Sequence, residues 1–105
     1  MDKMNIGGKE YRVEVNWNAV TAFLEATNSD SMEALANIGQ LKPSDVTALM
    51  AACINEGERL EGHDTHVSAL DLGAQLQISD ISLFFDIYRR QSSPATAEDP
   101  SKKKE

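Results

Sequence analysis

His63-Asp64-Thr65-His66 is the one stretch of this sequence where side chains that ligate metals crowd together. Two imidazoles and a carboxylate, joined by the thiol of Cys53, would be a chemically sensible zinc set. The spacing argues against it. Histidines three residues apart in a polar loop, with no HExxH or CxxC beside them, are what an exposed loop supplies. Cys53 falls on the apolar stripe of a helix, where a buried and inert thiol is expected, and only the two loop histidines stand ready as a base to activate it. Gly7-Gly8-Lys9 is too short for a phosphate loop and leads into a strand rather than a helix. Glu56, Glu58 and Glu61 gather near a helix C-terminus, where the dipole disfavours carboxylates, and they point in different directions. They read as a solvated face rather than a calcium site. The sequence therefore predicts no catalytic residue, no metal and no cofactor, and the chain is not expected to be an enzyme.

The elements that would carry these residues are legible from period and punctuation. Gly7-Gly8 accepts positive φ twice, as a two-residue hairpin turn requires, and pairing about it sets Ile6 opposite Lys9 and Met4 opposite Tyr11. Met4, Ile6, Tyr11, Val13 and Val15 then share one face, with Glu10, Arg12 and Glu14 on the other. From Trp17 the period turns helical: Trp17, Val20, Phe23, Leu24 and Thr27 fall on one side, Asn16 or Asn18 caps the start, and Asn28 suits a left-handed end. Asp30-Ser31-Met32-Glu33 opens a short helix carrying Met32, Leu35 and Ile38, which Gly39 stops. Pro43 suits the first position of a long helix with Val46, Leu49, Met50, Cys53, Ile54, Gly57 and Leu60 in one stripe and Gly62 as its stop. Ala48, Ala51, Ala52 and Asn55 lie opposite that stripe, where small residues favour helix formation or the close approach of a second helix, the first being preferred. Ser68 and Asp71 pair as a cap, Val67 and Leu72 as a staple, for a short helix bearing Leu70, Leu72 and Leu76. Ile78-Ser79 repeats the device, with Leu83 as staple partner, and starts a final helix running to about Gln91.

That last helix is broadly apolar. Ile81, Phe84, Phe85 and Tyr88 cluster on one side, and Leu83 and Ile87 widen the arc to about 200°. An arc of that width places the helix centrally in the domain or leaves one flank for a second chain. Leu83, Phe84, Ile87 and Tyr88 are the residues expected to meet a partner.

Charge and composition narrow the classes. The chain of 105 residues has one cysteine and a formal net charge of −7. The tail from Ser92 sums to zero, so the surplus lies on the folded part, which argues against a nucleic-acid binder. No stretch approaches the roughly 18 apolar residues of a membrane span, and the first residues lack the apolar core of a signal peptide. A cytoplasmic location is expected. The reading is an α+β fold: a mainly helical single domain over residues 1–91, with an N-terminal β-hairpin, about five helices and a disordered charged tail over 92–105.

The order of elements resembles a known family. A hairpin containing Gly8-Lys9-Glu10-Tyr11 leads into a helix ending Phe23-Leu24-Glu25-Ala26-Thr27. A short leucine-bearing helix, Leu41-Lys42-Pro43-Ser44-Asp45-Val46 opening a long helix, and two paired C-terminal helices follow. This pattern, over roughly residues 4–90, resembles the tail assembly chaperones of long-tailed bacteriophages and their prophages; relatives often have Gly where Asn28 stands. The resemblance implies a non-enzymatic protein that coats the tape-measure protein in the bacterial cytoplasm while the tail tube forms. Such a protein is absent from the mature virion. It also implies the major tail protein as a further partner, leaves homo-oligomerisation open, and supplies no binding residues by position. Many such chaperones are made in two forms by a ribosomal frameshift, and Lys102-Lys103-Lys104 would suit an adenine-rich slippery site. The alternative is a structural head–tail connector or tail-completion protein of the virion; a metal-dependent enzyme on His63, Asp64 and His66 and a general bacterial adaptor are the remaining rivals.

Overall fold

The computed structural model describes residues 2–29 and 40–92. The short helix expected around Met32, Leu35 and Ile38, and the tail beyond Ser92 with its Lys102–Lys104 run, lie outside the described residues.

The chain opens with an antiparallel hairpin of β1 (Asp2–Ile6) and β2 (Lys9–Val13), paired Ile6 to Lys9, Met4 to Tyr11 and Asp2 to Val13. Gly7 and Gly8 have φ of 61° and 86°, the conformation that fixes this register. One face, carrying Met4, Ile6, Tyr11 and Val13, is buried. Helix α1 (Trp17–Ala26) follows. Asn16 caps it by accepting from the Ala19 N–H at 3.0 Å, and the end closes as the sequence predicts. Asn28 takes φ 55°, while the Ser29 and Asn28 N–H groups donate to the Leu24 and Glu25 carbonyls at 2.9 and 3.2 Å. That pair of bonds is the Schellman arrangement.

Helix α2 (Pro43–Leu60) is the hub. Its stripe of Val46, Leu49, Met50, Cys53, Ile54 and Gly57 is buried, although the end of the stripe, Leu60, is exposed. The small residues opposite do more than favour helix: Ala51 and Ala52 are buried as well, and with Ala48 they share a shallow depression with Ala22 and Ala26 of α1. Close helix approach, the less favoured of the two expectations, is what these alanines permit. At Gly57 strand β2 rests on the helix backbone, a contact continued by the Glu14 N–H donating to the Cys53 carbonyl at 3.1 Å.

Beyond α2 the chain is held at Val67, whose N–H and C=O pair with the Asn55 side chain at 2.7 and 2.8 Å. Ser68 then caps the short α3 (Ala69–Gly73) by accepting from the Asp71 N–H at 3.1 Å, and the staple residues Val67 and Leu72 are both buried. Helix α4 (Ile78–Ser92) starts two residues earlier than a Ser79 cap would give. The Asp80 carboxylate instead accepts from the Gln77 N–H at 2.9 Å, half of a capping box. At the far end Gln91 clamps the open mouth of the hairpin, accepting from the Val15 N–H at 2.6 Å and donating to the Val13 carbonyl at 2.9 Å and to Asp2. Arg90 adds an ion pair to Asp2. A single apolar core thus joins hairpin, α1, α2 and α4.

Candidate functional site

Three of the four residues expected to meet a partner belong to the core. Phe84, Ile87 and Tyr88 are buried, and Phe84 stacks at an angle on Tyr88 with ring centroids 6.1 Å apart. Their arc is wide because α4 is covered on that side by the rest of the domain, so only Leu83 remains exposed to serve as a contact. Trp17 shows the opposite error. It opens the apolar side of α1 in sequence yet is 63% exposed, and Ala19 and Phe23 face the core instead.

The carboxylates near the end of α2 also differ from expectation. They form no solvated face: Glu56 and Glu58 are buried and Glu61 is tied across to the hairpin. Glu56 receives both arms of the Arg59 guanidinium at 2.9 and 2.8 Å, the Asn16 amide at 2.6 Å and the Asn18 amide at 3.2 Å. Bonding from Arg59 first, then from the two asparagines, outweighs its burial and lowers the carboxyl to about 2. Glu58 is desolvated, which opposes its ionisation, but hydrogen bonds from His63, the Arg12 N–H and Thr65 prevail and hold it below the usual carboxylate range. Arg12 bridges Glu14 and Glu61 at 3.1 and 2.9 Å. These groups therefore fasten β2, the start of α1 and the 61–66 loop to the end of α2, and each charge is committed to a neighbour.

The histidine loop is drawn into the same node. His63 Nδ1 lies 3.2 Å from Glu58 Oε1, so its ring is turned toward α2. Among the described residues no group of three His, Cys, Asp or Glu side chains is arranged to hold a metal ion. Cys53 is fully buried, and desolvation, with Glu14 and Glu56 nearby, raises its thiol to about 12. It is a packing residue in this fold.

Apart from a polar hollow of about 410 Å³ beside the histidine loop, lined in part by Asn18, Arg59, His63 and His66, the described surface has an apolar one. Leu41 and Pro43 at the start of α2, Val46 in its first turns, Leu76 after α3, and Ile78 and Ile81 at the start of α4 enclose a groove of about 370 Å³. A second hollow, lined by Ser44, Leu70 and Ala74, shares Thr47 and Gly73 with it, so the two form one trough. Gly73 keeps the floor low, since only Thr47 Cγ2 lies within reach of a side chain there, at 3.9 Å from a built Cβ. Ile78 and Leu70 flank the trough and are each 85% exposed. Sequence reasoning missed this surface because its walls come from segments some thirty residues apart, and because Ile78 is expected to staple onto Leu83, whereas both side chains are exposed.

Comparison with protein-family models, curated proteins and solved structures finds no match.

The chain's own surface therefore carries the functional reading. Large apolar side chains held in water at the rim of a groove are a common mark of a polypeptide-binding surface. No helix among the described residues is long and apolar enough to cross a membrane.

Proposed function

We propose that this chain is a non-enzymatic chaperone that holds the tape-measure protein during phage tail assembly in the bacterial cytoplasm, and that it leaves before the particle is complete. The observation that carries the proposal is the open trough between the starts of α2 and α4, with Ile78 and Leu70 standing exposed beside it on an acidic domain. The hairpin-first, helix-rich order of elements supports the same reading, because it is the order of the family the sequence resembles. A tape-measure protein is a very long helical chain with apolar faces, which aggregates when it stands uncovered. A small domain with an apolar trough covers such a face by side-chain contact, and its surplus of negative charge keeps the complex dispersed. The contact residues are then Leu41, Leu70, Ile78 and Ile81, with Leu83 the one member of the earlier quartet left on the surface.

Co-expression with a fragment of the tape-measure protein encoded beside it tests the proposal. The fragment should be insoluble alone and soluble in a complex with this chain, and purified tails should lack the chain. A fragment equally insoluble with and without it would overturn the proposal. Retention of the chain in purified particles would favour the connector or tail-completion alternative.

A further inference from the structure

We infer that the outer edge of β1 is a self-association site: it pairs antiparallel with β1 of a second copy of this chain, centred on Met4, and joins the two hairpins into one four-stranded sheet.

The hairpin register decides which backbone groups are free. About a two-residue turn Ile6 and Lys9 exchange main-chain hydrogen bonds, so Met4 and Asp2 also turn their N–H and C=O groups inward to β2. Those of Lys3 and Asn5 point the other way, and among the described residues no hydrogen bond reaches them. The outer edge of β2 is different. Its outward N–H groups at Arg12 and Glu14 donate to the Glu58 carboxylate and the Cys53 carbonyl, and Gly57 brings α2 against the Arg12 carbonyl. Helix α2 thus closes one edge of the sheet, while β1 leaves the other without a bulge or a proline. The Lys3 side chain along it is 43% exposed, and Asn5 is exposed as well. Such an edge is a template for another strand.

Charge favours a second copy and fixes how it pairs. The chain carries −7 overall, yet over residues 2–15 Asp2, Glu10 and Glu14 are balanced by Lys3, Lys9 and Arg12. Two hairpins therefore meet without the repulsion that acts between the rest of the domains. Pairing about Lys3 would set two lysines face to face, and pairing about Asn5 would run Lys3 onto Gly7, which has left the strand. Pairing about Met4 sets Lys3 opposite Asn5 of the second copy and Asn5 opposite its Lys3, each pair exchanging both main-chain hydrogen bonds. The joint is two-fold, so the sheet ends on both sides at a β2 that α2 covers, and no open edge remains.

The contact leaves the trough free. Leu83, which is exposed, and Arg90 lie about two turns apart on one side of α4, and Arg90 pairs with Asp2 of β1. Ile78, beside the trough, is about 140° round the helix from Leu83.

Sedimentation of the intact chain and amide hydrogen exchange test this together. A species of twice the 11.5 kDa chain mass should appear as the concentration rises toward about 1 mM. The Lys3 and Asn5 amides should gain protection over the same range, while those of Met4 and Ile6 are protected throughout. Asn5→Pro removes an outward N–H that the monomer leaves in water, and should weaken the dimer at least about tenfold. Asn5→Lys sets like charges opposite each other in both pairs but faces Glu10 within its own hairpin. It should weaken the dimer about tenfold while the dilute monomer melts no lower, and adding Lys3→Glu should restore association. A chain monomeric throughout, a dimer whose Lys3 and Asn5 amides exchange as in the monomer, or one indifferent to Asn5→Pro and Asn5→Lys would overturn the inference. Protection of those amides only on adding a tape-measure fragment would also overturn it, by giving the edge to an extended segment of another protein. The chaperone reading is tested separately, through the trough and Ile78→Asp.

Discussion

Replacing Gly57 with alanine is a substitution whose sign the packing decides. In the interior of an exposed helix the change stabilises by about 1 kcal/mol, because alanine loses less backbone entropy on folding. At Gly57 the added Cβ would lie 2.5 Å from the Arg12 carbonyl carbon, closer still to its oxygen, and 3.1 Å from Arg12 Cγ. Carbon–carbon contact is comfortable at about 3.5 Å, so β2 would have to move by about 1 Å. The strand is not free to do so. Arg12 is tied to Glu61 at 2.9 Å, and the Glu14 N–H is bonded to the Cys53 carbonyl of the same helix at 3.1 Å. Overpacking against backbone costs about 3 kcal/mol. Set against the propensity gain, the net loss is about 2 kcal/mol, which lowers Tm by about 8–16 °C in a domain of this size. Circular dichroism melting and urea titration read both quantities. Gly73→Ala is the control, because its Cβ would meet only Thr47 Cγ2 at 3.9 Å, and it should leave stability unchanged or slightly raised. A Gly57→Ala protein that melts at or above the wild type would refute the packing of β2 on α2 at this glycine.

Glu56 and Asn28 give two further tests. The Glu56 carboxyl stands at about 2 against an ordinary 4.5, a difference of about 3 kcal/mol at 1.36 kcal/mol per unit, or about 2 kcal/mol once solvent around Arg59 is allowed for. Because the folded value is depressed, this stability is fully present above about pH 4.5 and is lost as pH falls toward 2. Glu56→Gln should therefore cost about 2 kcal/mol at neutral pH, with a deficit that narrows through that acid window; a deficit independent of pH would contradict the ionic role. At Asn28, φ 55° favours residues that tolerate the left-handed region, so Asn28→Gly should be neutral while Asn28→Ala loses about 1 kcal/mol in urea titrations. Equal stabilities of the two variants would count against the Schellman end of α1.

The hairpin register, the end of α1 and the α2 stripe were legible because each is set by neighbours in sequence. Gly7-Gly8 fixes a pairing, Asn28 fixes a φ, and an apolar period fixes a face. The misreadings share another cause. Glu56 looked solvated from helix position alone, since its partners Asn16 and Asn18 lie some forty residues away. Phe84, Ile87 and Tyr88 looked available because periodicity gives the width of an apolar arc but not which flank the fold covers. Trp17 looked buried because α1 was judged by its stripe, while the core selects Ala19 and Phe23. The trough escaped for the same reason as the carboxylate node: both are made by tertiary approach of distant segments.

Isothermal titration of a tape-measure fragment into the purified chain, repeated with Ile78→Asp, tests the central claim most directly. Saturable binding with a negative heat-capacity change in the wild type, weakened at least about tenfold by Ile78→Asp, is the predicted result. No binding by the wild-type chain, or an affinity untouched by the substitution, would contradict it.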